Sequence, residues 1–375
     1  MALRSFTGRA MRLALREHLT AFVSVQLVLI FIALMIDFAD SFDSIRAAAE
    51  GQSLAWVLGQ YTVYRAADIV ARLMPVAALL GAFIAEIRRR ALLETVILAS
   101  AGVSALPTFA ALLWIGACTG FLQWKLERDW RPAAVFAQVA LGAGSYAERY
   151  GPGLTDDQQW FIQDDAAIAG RVLVGPQPEL RDVSYFLGLN GQGFDRVVRA
   201  DTVRPVGGGQ WVFENAEIWT ATEGGRLIGV PEAELELPLW FAPNELTYLN
   251  PTPFYLPQPV LNARARLDPD DPFVRTTQWR RWTAWVLPGL FAMLGATLAM
   301  TGFRGRVTRV PILVAMAFGG YLSTLSLKVF WALGEQGALA APVAVLLPIV
   351  LALAMILVLQ WLLNKEARGR RLPLG

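Results

Sequence analysis

Residues 339–363, LAAPVAVLLPIVLALAMILVLQWLL, run 25 positions without a charged side chain. A helix of about 20 apolar residues crosses a bilayer core, so this stretch reads as a membrane span. Working outward from it, five more stretches of the same kind stand at about 19–39, 59–86, 104–124, 282–303 and 310–333. They fall three and three around a polar segment of about 150 residues in which apolar residues alternate. A chain that is 55% hydrophobic and only 17% charged has too little polar surface to cover a water-soluble globule. The first span follows an arginine-bearing start and lacks an Ala-x-Ala-like exit, so it reads as a retained signal anchor rather than a cleaved signal peptide.

Arginine and lysine beside the spans set the expected orientation. Arg4, Arg9, Arg12 and Arg16 precede the first span, and Arg88, Arg89 and Arg90 follow the second. Arg304, Arg306 and Arg309 lie between the fourth and fifth, and Lys365, Arg368, Arg370 and Arg371 follow the sixth. Six spans put all four clusters on one face, the cytoplasmic one, and leave the central segment outside. Residues 125–278 carry 13 basic and 21 acidic side chains, a net of −8 in a chain whose total is +2. Such an acidic domain is a poor surface for phosphates or nucleic acid.

The central segment reads as β. Short runs at 159–163, 168–174, 182–189, 194–203, 211–219 and 234–240 are separated by turn signals at Gly175-Pro176, Asn190-Gly191 and Gly207-Gly208-Gly209. Strands at that spacing predict a sandwich or open barrel. Pro243, Pro251, Pro253, Pro257 and Pro259 predict extended chain returning to the membrane.

The inventory argues against catalysis. The chain has one histidine, His18, one cysteine, Cys118, and three lysines, and no nucleophile with a base at recognisable spacing. His18, at the start of the first span, reads as structural, and Cys118 as a packing residue inside the third span. Asp164 and Asp165 read as solvated loop residues. No G-x-x-x-x-G-K-[ST] is present, so the chain has no P-loop, and no metal or other cofactor is expected.

Charges within or beside spans are costly unless they face protein, water or ligand. Arg65, Asp68 and Arg72 share one helix face. They form either an internally paired stripe or a cationic edge for an anionic lipid, and Lys328 allows the same two readings. Arg280 and Arg281, between Trp279 and Trp282, read as an interfacial anchor.

The link between the second and third spans is the sharpest signal. It runs Pro75-Val76-Ala77-Ala78-Leu79-Leu80-Gly81-Ala82, then Glu86, Arg88-Arg89-Arg90 and Glu94, and ends Ala99-Ser100-Ala101-Gly102. Residues 89–100 are expected to form a short amphipathic helix at the membrane surface, stopped before Gly102.

This block resembles the lipopolysaccharide-export permeases LptF and LptG. The likeness rests on the P-x-A-A-L-L-G-A run, on Glu94 placed 19 residues after Pro75, and on Gly102 eight residues further on. The plan is similar too, with Ala200-Asp201 and Trp211 falling where the family's jellyroll has comparable residues. Asp37-Phe38-Ala39-Asp40 and the Pro75 run look closer to LptG. The expected fold is an α-helical membrane protein with six transmembrane helices and an inserted all-β, jellyroll-like domain. Its parts would be 1–124, 125–279 and 280–375.

The resemblance implies an inner-membrane permease subunit with its large domain in the periplasm. It would pair with a homologous LptF/LptG subunit and sit on a dimer of the ATPase LptB. It would lift lipopolysaccharide or a related glycolipid from the membrane toward LptC- and LptA-like periplasmic proteins. Glu94 would be the carboxylate that meets LptB, with Glu86, Arg88, Arg89 and Arg90 beside it. Lipid contacts are expected from Arg65, Arg72, Arg46 and Lys328. The end of span one departs from the family's basic pattern, being acidic at Asp37, Asp40 and Asp43. The competing expectation is a non-transporting scaffold that docks an envelope protein through its outer domain.

Overall fold

A computed structural model describes residues 8–175, 177–189, 193–221, 227–249, 251–304, 307–308 and 310–369. Arg4, Pro176, Asn190, Gly191, Arg306, Arg309, Arg370 and Arg371, singled out above, lie outside the described residues. Two compact units are present, one made of residues 1–144 and 253–375, the other of Ser145–Thr252.

The first unit is helical. Helix α1 spans Arg9–Ala48, α2 Leu54–Ala91, α3 Glu94–Ser100 and α4 Leu106–Lys125. One π-helical turn, Leu126–Trp130, joins α4 to α5, Arg131–Leu141, so a single continuous helical rod runs through residues 106–141. After α6 (Gly144–Tyr150) and the β unit, whose last strand is followed by α7 (Pro243–Thr247), the chain returns through α8 (Gln258–Leu267) and α9 (Pro272–Thr283). A 3₁₀ turn then leads into α10 (Leu287–Thr301), and α11 (Val310–Glu335) and α12 (Ala341–Gly369) follow. Among the described residues, six helices are long and apolar enough to cross a membrane: Arg9–Ala48, Leu54–Ala91, Leu106–Leu141, Pro272–Thr301, Val310–Glu335 and Ala341–Lys365.

The β unit is narrower than the 125–279 expected from sequence. Helix continues past residue 124 because Glu127 and Arg131 pair within it, and it resumes at Gln258 although the proline-rich return predicted extended chain. The prolines do not block that helix, since Pro259 and Pro272 sit in first turns, where a missing N–H costs nothing.

Helices α2 and α10 form the middle of the helical unit, while the windows of α1, α11 and α12 are mostly open to the surroundings. Small residues let the central helices touch. A Cβ on Gly81 of α2 would lie 2.7 Å from Phe22 Cα of α1, and one on Gly116 of α4 would lie 2.5 Å from Gly289 Cα. Apolar solvent supplies no hydrophobic drive between helices, so this backbone proximity and its dispersion contacts hold them together. Pro75 has no N–H to give the Ala71 carbonyl four residues back. Gln123 Nε2 of α4 donates to that carbonyl instead, at 2.9 Å.

The described strands of the second unit form one antiparallel sheet. Strands β1 (Gly153–Leu154) and β2 (Gln159–Gln163) both pair with β3 (Ala166–Val174). From there β4 (Glu179–Leu187), β5 (Arg196–Gly207), β6 (Gln210–Ala221) and β7 (Leu227–Pro238) follow as successive neighbours. Gly207 pairs with Gln210, leaving Gly208 and Gly209 as a two-residue loop with φ of +61° and +81°. Both values lie in the region that glycine enters freely, as a hairpin turn matching strand twist requires. One face carries Ile168, Val183, Val198, Val203, Trp211 and Phe213, all buried, with Phe241 and Leu246 from the segment after β7 packed on it. Asn215 takes φ +52° and donates through Nδ2 to Asp201 Oδ2 at 3.0 Å, a local bond that eases the left-handed conformation.

Candidate coupling segment and ion network

At its C-terminal end α2 carries Arg88, Arg89 and Arg90, cations that suit the carbonyl end of a helix. The helix stops at Ala91, and Leu93 takes φ +58°, so the expected single helix over 89–100 is two helices with a sharp break. A bulky side chain in left-handed backbone is costly, and here it breaks the helix before α3 begins at Glu94. Gly102, with φ +78°, ends the segment.

Helix α3 has no buried residue: its Val96 and Ile97 are exposed, as is Leu92 just before it. Its tie to the bundle is electrostatic. Arg89 Nε lies 3.6 Å from a Glu94 carboxylate oxygen, and the Arg89 side chain is only 2% exposed. The same guanidinium donates to Thr108 Oγ1 of α4 at 3.0 Å and to Glu86 at 3.4 Å. Glu86 itself is fully buried. Arg90 donates to the Met300 carbonyl at 3.4 Å, where α10 ends. Arg88 points outward, 3.9 Å from Glu17 of α1. Arg89 therefore sits where α2, α3 and α4 meet, with Glu94, a quarter exposed, at the rim.

The opposite end of the helical unit holds a second network. Asp68 is fully buried and receives Arg131 Nε at 2.7 Å, Arg72 Nε at 3.0 Å and Arg65 at 3.3 Å. Arg131 also donates to Glu127 at 3.0 Å, and its guanidinium stacks 3.9 Å from the Phe254 ring. Arg65 makes a second ion pair with Asp37 of α1, to which Tyr61 donates at 2.6 Å. A buried charge is tolerable only when paired and hydrogen-bonded, and each acid here meets that condition from at least two sides.

The structure divides the sequence candidates. Arg65, Asp68 and Arg72 do lie together: Asp68 pairs with both arginines within its helix, as the paired stripe expects, and the stripe extends to other helices through Asp37 and Arg131. Arg72 keeps 43% of its side chain exposed and Arg65 only 14%. Arg46, Lys328, Asp40 and Asp43 are exposed, while Asp37 is buried. Arg280 and Arg281 are corrected from interfacial anchors to interhelical ties. Arg280 pairs with Glu335 of α11 and stacks on Phe254 and Trp331. Arg281 donates to the Phe254 and Leu256 carbonyls at 3.1 and 2.6 Å. Cys118 is exposed on its helix rather than packed. His18 is buried, its Nδ1–H donating to the Ala14 carbonyl at 2.8 Å, a structural placement.

Arg131, Glu127, Thr108, Tyr61 and Gln123 escaped the sequence reading. Two signals bore on three of them: the i,i+4 spacing of Glu127 and Arg131 beyond the third apolar stretch, and the carbonyl that Pro75 must leave open, which Gln123 fills.

A segment outside the bundle tied to its base by one carboxylate, six spans and an inserted sheet together match a known plan. The sequence matches the family described as "Lipopolysaccharide export system permease LptF/LptG" over residues 12–363. The chain belongs to the LptF/LptG family. No individually curated protein matches it. LptF/LptG proteins are the permease of the lipopolysaccharide export system, so this chain is a multi-pass membrane transporter subunit and not itself an enzyme.

Proposed function

We propose that this subunit works in an ATP-driven exporter that extracts lipopolysaccharide or a related glycolipid from the inner membrane and passes it to periplasmic acceptor proteins of the LptC and LptA kind. The arginine-rich helix ends, Arg88 to Arg90 among them, support a cytoplasmic α3 and a periplasmic β unit. The observation that carries the reading is α3. It buries no residue of its own, and its Glu94 is joined to Arg89, which bonds onward to α2 and α4. An LptB-like ATPase dimer pressing on α3 would move a rigid lever attached to two spans.

The open apolar faces of α1 and α11, with Phe31, Ile32, Ile36, Val314 and Phe318 exposed, suit a homologous permease partner and a lipid cavity between the two. Arg72, Arg46 and Lys328 offer exposed cations to lipid phosphates, with Arg65 holding Arg72's anchor, Asp68, in place. Glu86, Arg88, Arg89 and Arg90 support Glu94 from the end of α2.

Purification of the tagged chain from its native membrane, followed by mass spectrometry of bound proteins and lipids, tests this. A co-purifying ATPase, a sister permease and enriched glycolipid are expected. A stable preparation with neither ATPase nor enriched lipid would overturn the reading.

A further inference from the structure

We propose that the groove between α1 and α4, near the α3 end of the helical unit, binds an anionic phospholipid. The groove has a volume of about 520 Å³. Its walls are Leu15 and Leu19 of α1 and Trp114, Ile115 and Cys118 of α4, with Arg12 at one end. Below Arg12 the two helices touch through Met11 and Ala14 against Ala110 and Ala111, which closes that part of the interface.

Charge and shape together select the occupant. Arg9, Arg12 and Arg16 stand at i, i+3 and i+7, so all three line one face of α1, and all are exposed. Among the described residues no ion pair joins any of them to an acid. Leu19 lies about 10 Å beyond Arg12 along the helix, about half the depth of one leaflet. Arg12 at the end of an apolar trough of that length, with Arg9 and Arg16 flanking it on α1, fits a phosphate headgroup with an acyl chain behind it. The neighbouring α1–α2 groove has the same volume and an apolar wall including Val28, Leu80 and Ile84, but Glu17 lies 3.9 Å from Arg88 at its mouth. That acid neutralises the mouth, so the second groove lacks the preference.

This site lies at the end of the bundle opposite Arg72 and Asp68, and the proposal needs only that the chain spans a bilayer, not that it exports lipid. Cys118 is the chain's one cysteine and lies in the groove, so a fluorophore attached there reports occupancy. The full chain in detergent micelles would be titrated with nitroxide-acyl phosphatidylglycerol and, separately, nitroxide-acyl phosphatidylcholine. Half-maximal quenching is expected at a mole fraction about tenfold lower for phosphatidylglycerol. That preference should fall to near unity in Arg12→Ala/Arg16→Ala, persist in Arg88→Ala, and survive millimolar inorganic phosphate.

Quenching by phosphatidylcholine, which does not depend on the arginines, confirms that the double variant keeps its groove. Equal quenching by the two lipids, an unchanged preference in the double variant, or displacement by free phosphate would each overturn the proposal. So would a fluorophore shielded from every lipid by a co-purified protein helix. Neither ATPase nor lipopolysaccharide enters the assay, so its failure leaves the export reading standing.

Discussion

Arg131 donates through Nε to Asp68 at 2.7 Å across 63 residues of sequence, with Asp68 fully buried and Arg131 3% exposed. The pair fastens α5 to α2 at the end of the unit where the chain leaves for the β sheet. It takes that form because Arg131 follows the π-helical turn of 126–130, which shifts the helix face by one residue.

Removal of Asp68 alone would strand Arg131 with a single acid, Glu127. Asp68→Ala should therefore destabilise the purified protein by about 3–5 kcal/mol, the range for breaking a buried pair. The double variant Asp68→Leu/Arg131→Met should lose markedly less than the sum of the single changes. Thermal unfolding in detergent of the single and double variants checks this, and strict additivity would refute the coupling.

Tyr61 is fully buried and its hydroxyl donates to Asp37 at 2.6 Å, linking α2 to α1. Tyr61→Phe keeps the ring and deletes that charge-assisted bond, so a loss of about 1.5–3 kcal/mol is expected. Tyr64→Phe on the same helix serves as the comparison and should be close to neutral.

Glycine substitutions should divide by what faces them. A Cβ on Gly295 of α10 would collide with the Leu79 backbone carbonyl of α2, whereas one on Gly59 of α2 meets nothing within 4 Å. Gly295→Ala should cost at least about 1–3 kcal/mol through forced separation of the two central helices. Gly59→Ala should be neutral or stabilising by up to about 1 kcal/mol, since helical alanine loses less backbone entropy. Melting temperatures of the two variants give the answer directly.

Glu94→Lys would set a second cation beside Arg89 and release α3 from its tie. In reconstituted complex, ATP hydrolysis and lipid release should both fall at least about tenfold, while Glu94→Gln retains more of each because it adds no repulsion. Normal hydrolysis and export by Glu94→Lys would overturn the proposed coupling role of Glu94.

Trp211 is fully buried in the sheet core and meets Phe241 edge-on at 5.4 Å between ring centroids. Trp211→Ala should lower the β unit's stability by about 3–5 kcal/mol, read as loss of near-ultraviolet circular dichroism at a lower temperature.

The sequence by itself determined the six spans, the inserted β segment and the block Pro75–Gly102. Solvent decides those features residue by residue: a run such as 339–363 has no other stable place, and alternation of 3.6 or 2 residues is a local property. The turn at Gly207–Gly209 was legible for the same reason, since only backbone freedom is at stake there.

Tertiary structure alone decided which charges found partners on other helices. Asp68 and Arg131, Asp37 and Arg65, and Arg89 and Thr108 come from different helices, and no spacing rule reaches across them. The limit of the third span was misplaced because Glu127 and Arg131 look like surface charges until Asp68 and Phe254 are set against them. The break at Leu93 was invisible too, since the residue is an ordinary helix former. Its left-handed backbone persists because Arg89 holds Glu94 on the far side of the turn. Apolar length is a one-dimensional quantity that a chain carries in its order, whereas charge compensation within lipid is settled only when helices pack.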